Sequence, residues 1–217
     1  MDKIEIIMMD HPPHPSTYNK MALPLRRIFL KVVLFFVMFI LAFHLPHLLN
    51  GIQCFTDGIG TKEETIREIL TVLERYPTGL ADVTKEELAE VIYEEATRNN
   101  HDPKFILALI AFESSFQNWS VSERGAKGLM QIMPYVAESL AQEMGIEWRG
   151  DRTLFNPFLN TRMGIHYLSR LILDFNDVGI ALTAYNYGPT YVRSLIERKE
   201  RIPLQYSHKI LTIYQTL

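Results

Sequence analysis

One cysteine, Cys54, occurs in 217 residues, so no disulfide can form within the chain and its fold must rest on packing. Neither sign of charge dominates. Against 25 acidic residues stand 22 basic ones, a net charge of −3, which excludes the basic footprint of a nucleic-acid-binding protein. No segment alternates apolar and polar residues as a half-buried strand does, and no internal repeat or low-complexity tract is present. The HExxH spacing of zinc proteases is missing. Two histidine pairs, "HPPH" at 11–14 and "HLPH" at 44–47, are broken by proline and share no helical face. Neither a metal nor any other cofactor is therefore expected.

One long hydrophobic run is present. Residues 28–49 read "IFLKVVLFFVMFILAFHLPHLL", about the ~20 residues that cross a hydrocarbon core. Lys31 lies near one end, where its stem can reach the interface. Lys20, Arg26 and Arg27 precede the run, which places residues 1–27 in the cytoplasm as an unstructured tail and the rest of the chain outside. A buried core helix is the alternative for 32–43, but the one-sided basic flank favours a single-pass transmembrane anchor. No small-x-small cleavage site follows, so an uncleaved anchor is expected. Met21 opens an export-like sequence of its own, "MALPLRRIFLKVV", and is a candidate alternative start. Cys54 follows Gln53, with Gly51 where a lipobox carries leucine, and reads as an unmodified cysteine.

Residues 50–83 read as a linker plus an accessory helix. Gly51, Gly58 and Gly60 mark the joint; Ile66, Ile69, Leu70 and Leu73 then recur at helical spacing over 61–76, until Pro77 and Gly79 stop it. From residue 84 to 217 helix signals follow in close order. Thr84 and Glu87 form a capping box ahead of a stripe of Leu88, Val91, Ile92 and Ala96. Asp102-Pro103 and Asn156-Pro157 each supply an N-cap followed by proline at the first helical position. Pro134 starts another helix, and further ones are expected over 180–187, 191–198 and 204–215. Gly164, inside the 156–175 helix, points to close approach of another element, the 103–116 helix being the candidate.

Within the 103–116 helix, the apolar run Phe105 to Phe112 ends in a carboxylate, Glu113. An ionised acid among apolar side chains needs a basic partner, exposure at the helix end, or a raised pKa that keeps it protonated. The helix C-terminus works in the last direction, because its negative dipole end disfavours the carboxylate. A group so disposed can act as a general acid for glycosidic cleavage. Gln131 and Asn186 are amides on apolar segments and need hydrogen-bond partners. Ser114 and Ser115 either hold the helix end or orient the acid.

Three ordered motifs, "ESSF" at 113–116, "GAKGLMQIMP" at 125–134 and "ALTAYNYGP" at 181–189, resemble those of the soluble-transglycosylase (SLT) family of lytic transglycosylases. The resemblance covers roughly 84–217. It implies a goose-type lysozyme-like helical domain, mainly α, that cleaves the bond between N-acetylmuramic acid and N-acetylglucosamine in peptidoglycan glycan strands. By the same resemblance Glu113 is the catalytic acid, and Ser122, Met130, Gln131, Tyr185, Asn186 and Tyr206 line the saccharide groove. The flanks of Tyr206, "IPLQYSHKIL", depart from the usual family pattern. The mechanism that the resemblance implies needs one carboxylate: Glu113 would protonate the leaving oxygen and then take the proton of the muramoyl 6-hydroxyl as it attacks C1, leaving 1,6-anhydro ends. Phe112 and Phe116 are the expected apolar neighbours of the acid. The implied location is a bacterial inner membrane, with the catalytic domain on the periplasmic side. A lysozyme-type hydrolase and an inactive glycan-binding scaffold remain as alternatives.

Overall fold

The structure is a computed structural model that describes Phe29, Lys31 and residues 33–35, 37–39, 61–81 and 83–217. The chain divides into two compact units, Met1–Gly58 and Ile59–Leu217. In the first, the described residues between 29 and 39 are helical. The remainder of the 28–49 run, the 1–27 tail, Met21, both histidine pairs, Cys54 and the glycine joint lie outside the described residues. Among the described residues no helix is long and apolar enough to cross a membrane.

The second unit is built from helices α1 (61–74), α2 (Lys85–Arg98), α3 (Pro103–Ser114), α4 (Pro134–Glu143), α5 (Asp151–Leu154), α6 (Pro157–Phe175), α7 (Val178–Tyr187), α8 (Pro189–Glu197) and α9 (Gln205–Thr216). Its described residues form no strand, only isolated antiparallel bridges of Lys127 with Val121 and Ile132. The starts follow local chemistry. Thr84 and Glu87 close a reciprocal capping box on α2. The side chains of Asp102 and Asn156 accept the first free amides of α3 and α6, each with proline behind it. Helix α5 has no counterpart in the sequence reading, and α8 starts at Pro189 rather than at 191, because Gly188 (φ 90°) turns the chain there.

Helix α3 lies between α2 and α9, while α6 packs on α2 and α7. Phe105 to Ile110 are all buried, as a helix apolar all round requires. Two expectations need correction. The 61–74 helix is no accessory: Ile69, Val72 and Leu73 are buried in the same core as Leu88, Ile92 and Leu109. Gly164 is approached not by α3 but by Met130, whose Sδ would lie 2.4 Å from an added Cβ.

Candidate active site

Glu113 is the penultimate residue of α3, and the chain leaves the helix there by a sharp turn. Ser115 (φ 49°) and Phe116 (φ 62°) both adopt positive φ, a conformation that costs non-glycine residues about 1–3 kcal/mol each. Surrounding structure holds the turn in place. Phe116 is fully buried with its ring 4.6 Å from that of Tyr76. Ser114 Oγ donates to the carbonyl of Leu129 at 2.8 Å, tying the helix end to the following loop. Gln117 Nε2 donates to Pro77 O, Asn118 N to Thr78 O and Trp119 Nε1 to Gly79 O. Residues 76–79 thus brace the turn behind the acid, a long-range relation with no local sequence signal.

Tyr206, buried on α9, donates its hydroxyl to Glu113 Oε1. No described residue holds Oε2, and no basic side chain pairs with this carboxyl. Burial raises its pKa from 4.5 to about 7, against the opposing pull of the Tyr206 hydrogen bond. Of the three resolutions open to the acid, the structure adopts the raised pKa. Phe112 packs its ring edge-on to Tyr206 at 5.2 Å. Phe116 instead faces Tyr76.

A cleft of about 880 Å³ is walled by Tyr135, Tyr167, Tyr185, Tyr187 and Tyr191 and reached by Gln131 and Asn186, while Glu113 and Tyr206 are not part of its wall. Tyr185 joins cleft and acid. Its hydroxyl donates to Met130 O at 2.8 Å, its ring lies 5.3 Å from that of Tyr167, and burial together with the nearby Glu113 charge pushes its phenol well above the usual range. Gln131, at φ 48°, donates Nε2 to Gly128 O at 2.8 Å and to Ser120 O at 3.1 Å. That leaves its carbonyl oxygen for a ligand.

Three groove candidates lie outside the cleft wall: Tyr206, which holds the acid, Met130 and Ser122. The Met130 side chain is fully buried against Gly164, and it reaches the site only through its carbonyl. Ser122 is outside the cleft wall. It closes its own turn, with Oγ accepting from Ala126 N at 3.0 Å.

Sequence reading missed Asn160, a fully buried strut on α6. Its Oδ1 accepts from Met130 N at 2.8 Å, and its Nδ2 donates to Lys127 O at 3.0 Å and Leu154 O at 2.9 Å. It fixes the 127–131 loop and hence the carbonyl that anchors Tyr185. An amide inside an otherwise apolar helical stripe was the available signal. Among the described residues no cluster of histidine, cysteine, aspartate and glutamate could hold a metal ion.

Residues 90–204 match the family described as Transglycosylase SLT domain. Membrane-bound lytic murein transglycosylase F of Desulfosudis oleivorans is 36% identical over 110 residues, which cover 48% of this chain and 22% of that protein. Membrane-bound lytic murein transglycosylase C of Actinobacillus pleuropneumoniae is 30% identical over 133 residues, 56% of this chain and 36% of the relative. The crystal structure of the 70 kDa soluble lytic transglycosylase of Escherichia coli shares the fold, with a TM-score of 0.50 at 25% identity over 66% of this chain and 24% of that one. The matched part of the chain therefore spans between 22% and 36% of the length of these proteins.

Proposed function

The chain belongs to the transglycosylase SLT family, whose profile covers more than half of it, and from that premise we propose that it is a peptidoglycan lytic transglycosylase with Glu113 as its single acid and base. The observation that carries this reading is the state of Glu113: a carboxyl brought to a pKa of about 7 by burial, with Oε1 engaged by Tyr206 and Oε2 open. A general acid–base works best when its pKa lies near the working pH.

The protonated Oε2 gives its proton to the oxygen that joins N-acetylmuramic acid to N-acetylglucosamine, while the substrate's own acetamido group assists departure. Glu113 is now ionised, and Tyr206 stabilises the charge. The carboxylate then takes the proton of the muramoyl 6-hydroxyl as that oxygen attacks C1. A 1,6-anhydro ring forms, one proton returns to Glu113, and no water is consumed. Hydrolysis by the two-carboxylate route would need a second free acid near the first. Among the described residues the one carboxylate in the cleft wall, Asp174, is held by Arg193 at 2.9 Å.

Gln131 and Asn186 bind acetamido groups in this reading, and the tyrosine walls pack against the sugar faces. The 28–49 run anchors the chain in the bacterial inner membrane with this domain on the periplasmic side, for cell-wall remodelling. Its hydropathy and one-sided basic flank support that placement, as do relatives named membrane-bound. Replacing Glu113 by Gln tests the assignment. Cleavage of purified peptidoglycan should fall on the order of 10²–10⁴-fold, with glycan binding retained; an active Glu113→Gln protein would remove the mechanism.

A further inference from the structure

The charged side chains of the cleft wall are not equivalent. Three guanidiniums line it, those of Arg124, Arg170 and Arg193. Arg193 is taken by Asp174 and lies 5.5 Å from the Phe175 ring, and Arg170 is taken by Glu143. Among the described residues Arg124 meets no carboxylate, acceptor or ring, and Glu123 beside it forms no ion pair with it.

The backbone that carries Arg124 is nonetheless fixed. Ser122 N donates to Ala126 O at 2.9 Å, Gly125 N to Ser122 O at 2.9 Å and Ala126 N to Ser122 Oγ at 3.0 Å. The bridge between Val121 and Lys127 closes the base of the turn. A rigid tip thus presents one unpaired guanidinium to a cleft whose other charged side chains, Arg170, Arg193 and Asp174, are engaged in ion pairs. Such a group complements an anion on the ligand, and the planar fork of arginine suits a carboxylate in two-point contact.

Resting on the reading of this cleft as a peptidoglycan site, the ligand's chemistry narrows the choice. N-acetylglucosamine is neutral and the lactyl carboxyl of a peptide-bearing muramoyl residue is tied up as an amide, so the anions of such a strand are the carboxylates of its peptides. We infer that Arg124 binds a peptide-stem carboxylate and makes the protein selective for strands whose stems are ionised.

The test compares native glycan strands with strands whose stem carboxylates have been converted to amides by carbodiimide and ammonia, which removes charge while preserving length and shape. With the full-length wild-type chain, kcat/KM on native strands should exceed that on amidated strands roughly ten-fold, mainly through KM, as one charge-assisted pair would give. In Arg124→Gln the ratio should fall close to one, and Arg124→Lys should recover part of it. A wild-type ratio near one overturns the inference without recourse to any variant, as does an Arg124→Gln protein that keeps the wild-type ratio. Failure of the wild type to cut either strand overturns the transglycosylase reading, and this inference with it.

Discussion

Tyr206 and Glu113 stand 93 positions apart in sequence, yet the tyrosine hydroxyl donates to the carboxyl Oε1. This bond and burial oppose one another. Burial lifts the pKa of the acid, and the donor restrains the lift to about 7.

Removing the donor should release the restraint. In Tyr206→Phe the Glu113 pKa rises, so the alkaline limb of the pH–rate profile moves to higher pH. Loss of a hydrogen bond to a group that becomes charged should also cost about 1.5–3 kcal/mol of transition-state stabilisation, roughly ten- to a hundred-fold in kcat. A pH–rate profile with its alkaline limb unmoved would show that the bond does not govern the acid.

The same shift has a consequence for stability. The folded pKa of Glu113 lies above its unfolded value of 4.5. Between pH 4.5 and about 7 the folded state keeps a proton that the unfolded state has lost, so Glu113 lowers stability progressively as pH rises through that window. Above the window the penalty reaches about 3 kcal/mol. Glu113→Gln should therefore melt at higher temperature than the wild type at pH 8 and at nearly the same temperature at pH 4. Equal melting temperatures at both pH values would mean that the acid is not desolvated in the folded protein.

Gly128 and Asn160 form a coupled support. Gly128 has φ 82°, and an added Cβ would lie 2.3 Å from Asn160 Nδ2 and 2.5 Å from Leu154 O. Gly128→Ala should destabilise by about 3 kcal/mol or more, combining backbone strain with overpacking. Asn160→Ala leaves the buried Met130 N and Leu154 O without their side-chain partner and should cost about 2–4 kcal/mol. The double variant should lose less than the sum, since each change disturbs the same loop. Urea unfolding of the three proteins measures this directly, and additive losses would contradict a shared support.

Much of this fold was legible because its signals are local. Thr84 with Glu87, Asp102 with Pro103, and Asn156 with Pro157 mark helix starts that need only neighbouring residues, and the structure places helices after each. Glu113 stood out because a carboxylate after eight apolar residues requires explanation. What escaped was non-local. Met130 looks the same in sequence whether its side chain faces a groove or fills the notch at Gly164. The stripe of Ile69 and Leu73 reads as amphipathic without revealing that it joins the main core. Asn160 acquires its meaning only from Met130, Lys127 and Leu154, brought to it by the fold.

The core role of the 61–74 helix is open to a single substitution. Leu73 is fully buried, so Leu73→Ala should cost about 2–5 kcal/mol and shift the unfolding of the whole domain as one transition. A separate early transition, with the remaining domain unchanged, would mean that the helix folds independently.

If Glu113 serves first as acid and then as base, the muramoyl 6-hydroxyl takes the place of water. Mass spectrometry of muropeptides released from purified peptidoglycan by the full-length chain, in water enriched in oxygen-18, tests it most directly. Anhydromuramoyl ends are expected, one water lighter than hydrolysis products and free of label. Reducing ends carrying oxygen-18 would contradict it and assign the same acid to a hydrolase.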